Sequence, residues 1–242
     1  MYTIPKKLLS NGNTNAKTKK NDLKTFILYL SPYNQNSKGI NICPKASKGC
    51  AASCLFSAGR GAFNSVKNSR INKTEFLLAN KETFIQQLAK EIITKHKTAL
   101  KTGVKVAFRL NGTSDLDFIY LLKKYAALDV ETLSNAVFYD YTKILGKVKK
   151  YINHKNYFLT FSRAEDNQNE TLEALKLGAN VSAVFLGDLP KTYKGFKVVD
   201  GDKSDDLMIN TKNSILALSA KGAAKKDQSG FVINTDPDFK FL

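Results

Sequence analysis

Three cysteines fall within twelve residues, Cys43, Cys50 and Cys54, in the stretch CPKASKGCAASC, and the chain has no others. Scattered at random over 242 positions they would share such a window well under about 1% of the time, so the spacing has a cause. The odd count and the lack of a secretory leader argue against a disulfide framework. Two metal readings remain. A closed structural zinc site takes four ligands, commonly with histidine, and the only histidines are His96 and His154. His96 lies on the apolar face of a predicted helix and reads as a core residue, and His154 lies in a lysine-rich turn. An iron–sulfur cluster accepts three thiolates and leaves one iron open to a chelating ligand. Pro44, Gly49 and the small residues Ala46, Ser47, Ala51 and Ala52 would let the loop wrap closely around a cofactor.

The arginines are the second chemical signal. Lys and Arg total 38 against 21 Asp and Glu, a net charge of +17 with a pI near 9.6, yet only Arg60, Arg70, Arg109 and Arg163 are arginine. The lysine excess has two readings. One is drift of an AT-rich coding sequence; the other is a polyanionic partner, nucleic acid or nucleotide. Either way the four positions that are not lysine stand out, because a planar guanidinium grips carboxylate or phosphate in a way that an ammonium cannot.

The remaining polar motifs end apolar runs. Arg109, Asn111, Thr113, Ser114 and Asp115 follow VKVAFRL and suit the binding of a nucleoside cofactor, with Gly112 turning the chain tightly. Ser114 or Asp115 also reads as the cap of the next helix. In FYDYTK, Asp140 and Lys143 are the catalytic candidates. The alternation puts Asp140 and Thr142 on one face and Tyr139 and Tyr141 on the other. Ser162, Arg163 and Glu165, in SRAED, are further cofactor-binding candidates.

These motifs need elements to hold them. Strand-like runs are predicted at 25–30, 104–110, 136–141, 157–161, 180–186, 196–199 and 215–218, and helices at 82–100, 116–127, 144–152 and 170–177, the last stopped by Gly178. Near-continuous apolar strands alternating with helices mean a parallel sheet covered by helices. The expected fold is α/β, an incomplete or irregular (β/α) barrel with outer helices, because no GxGxxG turn supports a doubly wound sheet. Reacting groups in such sheets gather past the carboxyl ends of strands. Residues 1–22 read as a flexible basic N-terminal arm and 23–242 as one domain. No apolar run approaches the roughly 18 residues of a membrane span, so the expectation is no membrane and a cytoplasmic location.

Taken together, CPKASKGCAASC followed by AGRG, then FRLNGTSD, then FYDYTK, resemble a group of bacteriophage three-cysteine proteins, with LTFSRAEDN, VVDGDKSDD and LSAKGAAKKDQSGF as later elements. That group is distantly similar to the radical S-adenosylmethionine enzymes, although the spacing here is Cys-x6-Cys-x3-Cys rather than Cys-x3-Cys-x2-Cys. The resemblance implies a [4Fe–4S] cluster on Cys43, Cys50 and Cys54, S-adenosylmethionine as cofactor, a nucleotide or nucleic-acid substrate and a host-cytoplasmic location. The alternative is a nonenzymatic, zinc-stabilised basic phage protein that binds nucleic acid.

Overall fold

The computed structural model describes residues 2–15, 17–20, 22–54, 56 and 59–235. Ten strands form a mostly parallel sheet: β1 (Leu9–Asn11), β2 (Lys24–Leu28), β3 (Val106–Arg109), β4 (Ala136–Thr142), β5 (Tyr157–Ser162), β6 (Asn180–Leu186), β7 (Thr192–Tyr193), β8 (Phe196–Asp200), β9 (Ile215–Ser219) and β10 (Val232–Asn234). Among the described residues seven α-helices accompany them: α1 (Lys48–Ala52), α2 (Asn64–Ala79), α3 (Lys81–Thr102), α4 (Phe118–Ala126), α5 (Leu145–Tyr151), α6 (Gln168–Lys176) and α7 (Leu207–Asn210).

Spatial order follows chain order from β1 to β6, then runs β9-β8-β7, with β10 also pairing β6. The pairs β2–β3, β3–β4, β4–β5, β5–β6, β6–β9 and β8–β9 are parallel. β1 is antiparallel to β2, and β7 to β8. The sheet is open, with β1 at one end and the β7–β8 hairpin at the other. Lys194 (φ 52°) and Gly195 (φ 83°) make that hairpin's turn, two left-handed residues in a row as a tight antiparallel connection requires.

Strands laid side by side in chain order need crossovers of one hand, which puts the connecting helices on one face. The packing agrees. Phe26, Phe108 and Phe138 sit in register on β2, β3 and β4 and stack at 6.0 and 5.1 Å between centroids. They join Phe84, Leu88 and Ile92 of α3 and Leu122 of α4 in one buried cluster. Farther along, Phe161, Val181, Phe185 and Ile215 pack with Val148 of α5 and Leu175 of α6. The opposite face, carrying Ala107, Tyr139 and Leu216, is closed by Met208 of α7.

The helix ends have local causes. Asp117, not Ser114 or Asp115, caps α4, its carboxylate accepting from the Tyr120 N–H at 3.1 Å. Gly103 (φ 69°) ends α3, and Gly178 (φ 88°) follows α6 as its sequence position predicts. The segment 1–22, expected as a flexible arm, is seated on the domain in its described residues. Leu8 and Leu9 are buried, their N–H groups donate to the Glu91 carboxylate at 2.7 and 2.9 Å, and Lys17 pairs with Asp205 at 2.7 Å. Among the described residues no helix is long and apolar enough to cross a membrane.

Candidate functional site

A cavity of about 1200 Å³ opens past the carboxyl ends of the parallel strands. Cys43, Cys50 and Cys54 all line it, and so do all four arginines. The strand ends contribute Asn111 to Asp115 after β3, Tyr141 to Lys143 from β4, Ser162 and Arg163 from β5, and Lys221 after β9. α2 covers one side, presenting Val66, Ser69, Arg70 and Lys73 at helical spacing. Eleven of the thirteen residues singled out from the sequence therefore meet here. Four lysines and four arginines face two carboxylates, Asp115 and Asp202, so the lining is strongly cationic.

The cysteine loop is held from several sides. Ser47 caps α1, its hydroxyl accepting from the Cys50 N–H at 3.1 Å. Glu165, at the end of β5, accepts from the Ser47 hydroxyl and the Gly49 N–H, each at 2.7 Å. Gly49 is required here, since a Cβ would lie 2.7 Å from Phe231 Cβ and 2.9 Å from Glu165 Oε1 and would collide with Ser229 Oγ. The Asp115 N–H donates to Ile42 O at 3.0 Å, and the Cys43 thiol points at Thr113 O, 3.7 Å away. Glu165 thus positions the loop rather than lining the cavity.

Burial pushes the Cys43 thiol up to about 11 and raises Cys54 as well, the second offset in part by the charges of Arg70 and Lys143. Both groups are protonated thiols at neutral pH, and any metal they held would displace protons. The three sulfurs act on one another electrostatically and share a wall. Yet among the described residues no three His, Cys, Asp or Glu side chains are arranged to hold a metal ion. The expected convergence of the sulfurs on one metal centre is not present in these side-chain positions. No histidine lines the cavity either: His96 is buried on α3, and His154 faces Tyr151, Tyr157 and Glu131. The donor set is three thiols, the number that leaves a cluster iron open and leaves a four-ligand zinc site incomplete.

Asp140, a catalytic candidate from the sequence, does not line the cavity. The pleat turns it to the helix-covered face of β4, where it accepts from the Asn111 N–H at 2.7 Å, Asn111 Nδ2 at 3.1 Å and the Tyr157 hydroxyl at 3.2 Å. Burial raises its carboxyl to about 6 against the pull of Lys147 and of those donors. Its work is to fix Asn111. That residue in turn accepts from the Ser114 hydroxyl and the Leu116 N–H, at 2.9 and 2.8 Å. Asp115 pairs with Lys147 at 2.9 Å and accepts from the Thr142 hydroxyl and the Lys143 N–H. Gly112 donates its N–H to Leu28 O at 3.0 Å. A Cβ there would meet Tyr29 and Ile27 within 2.8 Å, so this glycine permits close strand approach rather than a turn of exposed N–H groups.

Lys143 is buried, with Nζ 2.6 Å from Ser162 Oγ and 5.6 Å above the Phe231 ring. Arg163 donates to the carbonyls of Gly230 and Phe231, both at 2.6 Å, and so ties the segment before β10 to the strand ends. Arg109 meets Asp205 at 3.3 Å and lies over Tyr141. Asp205 is fully buried. Burial would raise its carboxyl, but Arg109 and Lys17 overcome this and hold it below the ordinary carboxylate range. Sequence reasoning placed Arg70 in no motif and did not find α2, Lys17, Lys73 or Asp205. The rarity of arginine in a lysine-rich chain was the one signal for Arg70.

The model of a family described as Gene product 88 matches residues 7–235, nearly the whole chain, and the chain belongs to that family. This agrees with the resemblance to bacteriophage proteins drawn from the sequence. No curated protein and no solved structure matches.

Proposed function

We propose that this member of the Gene product 88 family is a radical S-adenosylmethionine-like iron–sulfur enzyme that acts on a nucleotide or nucleic-acid substrate. Its open sheet is then an incomplete (β/α) barrel with the reaction at the carboxyl rim. One observation carries the reading: three cysteines and every arginine of the chain, spread over 120 residues, line a single cavity past those strand ends. When bound, a [4Fe–4S] cluster would supply the electron that cleaves S-adenosylmethionine and starts radical chemistry.

The chain's own residues do the rest. Cys43, Cys50 and Cys54 would be the cluster ligands, giving up their protons to bind. Arg109, Asn111, Thr113, Ser114 and Asp115, with Ser162 and Arg163, are the cofactor-binding candidates. Of these, Arg109 and Arg163 already hold protein partners and fix the wall. Lys143, buried beside Phe231 and Ser162, is the candidate for a charged or proton-donating group near the substrate. α2, lying over one side of the cavity, would limit the access of water there.

The second reading, a nonenzymatic zinc-stabilised protein that binds nucleic acid, draws on the net charge of +17 and on the cysteine spacing, Cys-x6-Cys-x3-Cys. Anaerobic purification with iron, sulfide and zinc analysis separates the two. The enzyme reading expects iron and sulfide in comparable amounts, with their visible absorbance abolished by Cys43→Ala, Cys50→Ala or Cys54→Ala. Zinc in place of iron selects the second reading. Protein that takes up neither metal, even after reconstitution, overturns both.

A further inference from the structure

The cations of the cavity differ in what they hold. Lys17 and Arg109 share Asp205, Lys221 pairs with Asp202 at 2.8 Å, Lys73 donates to Leu8 O at 2.7 Å, and Arg163 serves two carbonyls. Arg70 and Lys143 differ from these. Among the described residues neither has a carboxylate within ion-pair distance, and neither spends its side-chain donors on a backbone carbonyl as Lys73 and Arg163 do. The Arg70 guanidinium lies 4.8 Å from the Tyr29 ring and 5.4 Å from the Phe56 ring, half-buried on the cavity wall. Its Nε and Nη1 are shielded from solvent and carry no hydrogen bond among the described residues. A buried donor left without an acceptor forfeits its hydration with nothing in return, so such a group calls for an explanation. Lys143 is 8% exposed and has only the Ser162 hydroxyl, a neutral acceptor, for its charge.

Arg70, Lys143 and Cys54 line the same cavity, and both charges act on Cys54. The rings beside them, Tyr29 and Phe56 at Arg70 and Phe231 at Lys143, keep the two cations partly out of water without neutralising them. An enclosed pair of positive charges with unused donors is an anion site. A phosphate monoester, with a charge of about −1.5 to −2 and three acceptor oxygens, can engage the donors of both Arg70 and Lys143, whereas a carboxylate or a phosphodiester brings a single charge. The planar fork of an arginine and the point charge of a lysine are both suited to phosphate oxygens.

We propose that Arg70 and Lys143 form a binding site for a phosphate monoester beside Cys54, so that the substrate enters the cavity phosphate-first. The monoester could belong to a free nucleotide or to the phosphorylated end of a nucleic-acid strand. The site deepens the reading of a nucleotide or nucleic-acid substrate and rests on it, but it does not depend on what the cysteines bind.

Isothermal titration of the full chain with AMP, adenosine, acetate and a short 5′-phosphorylated oligonucleotide tests the site, with the unphosphorylated oligonucleotide as control. AMP should bind at least about tenfold more tightly than adenosine, and acetate should not compete with it. Arg70→Gln and Lys143→Met should each remove most of the difference between AMP and adenosine while leaving adenosine binding unchanged. Arg70→Lys, which keeps the charge and loses the fork, should fall between and guards against a variant that fails to fold. A preference for the 5′-phosphorylated strand over both its control and AMP assigns the monoester to a strand end, and the reverse assigns it to a free nucleotide. Equal affinity for AMP and adenosine, or an AMP preference that survives both Arg70→Gln and Lys143→Met, overturns the site. Because the titration reads phosphate and not iron, a failed metal analysis leaves it standing, and its own failure leaves the cysteine assignment untouched.

Discussion

Asp140 and Asp205 are both buried carboxylates near the rim, and their environments move them in opposite directions. Asp205 has two cations and is held ionised, so its contribution to stability is complete above about pH 4 and is lost as pH falls below its folded value. Asp140 has only neutral hydrogen-bond donors in contact, and burial wins, raising it from the ordinary 3.8 to about 6. Folding therefore takes up a proton at Asp140 between about pH 4 and pH 6, and stability falls as pH rises through that window. At 1.36 kcal/mol per unit the fall amounts to at most about 3 kcal/mol. Asp140→Asn keeps an acceptor for the Asn111 N–H and removes the ionisation. Denaturant melts at pH 4, 5, 6 and 7 should show the wild type losing stability relative to Asp140→Asn up to pH 6, with a constant difference above it. A difference that does not change with pH would mean that Asp140 titrates as an ordinary carboxylate.

At the scale of elements, strands were the easiest to read because they are buried on both faces and appear as unbroken apolar runs. Ala136–Thr142 and Asn180–Leu186 fall at or within one residue of the predicted limits, and Gly178 announces the end of α6. The helix α2 was invisible for the converse reason. It buries Phe76 and Leu77 at one end but shows Ser65, Ser69, Arg70 and Lys73 to the cavity, so its apolar residues follow no single stripe. The contacts of the N-terminal segment are not legible in the sequence because its anchors are single residues, Leu8, Leu9 and Lys17, with no periodicity. Of the site, the cysteine loop and the strand-end motifs were legible, whereas the depth of Asp140 and the supporting role of Glu165 depend on pleat and long-range contact. Two glycines test this account of the elements. Gly49→Ala should cost about 1–3 kcal/mol by driving α1 away from Glu165 and Phe231. Gly146→Ala, on the open face of α5 with nothing within 4 Å, should instead stabilise by about 0.5–1 kcal/mol through helix propensity. Thermal melts read both; a Gly49→Ala variant as stable as the wild type would show that α1 has room the structure denies it.

For the whole molecule the charge is divided between two populations. The arginines and a few lysines are gathered inside the cavity, mostly with protein partners, whereas lysines such as Lys81, Lys90, Lys97, Lys101 and Lys105 are exposed along α3 and just beyond it. Only the second population is free to meet a long polyanion, and it would do so without reading sequence. Binding of duplex DNA should then weaken steeply with salt, log K falling linearly with log salt at about 0.9 per phosphate neutralised. Replacing Lys90, Lys97 and Lys101 together by Gln should lower that slope by up to about 3 if this face carries the contact. Arg70→Gln, inside the cavity, should leave the slope unchanged. Fluorescence anisotropy with a labelled duplex across a salt series measures both effects. Absence of binding at about 50 mM salt, where counterion release favours association most strongly, would assign the lysine excess to composition drift and confine any nucleic-acid recognition to the cavity.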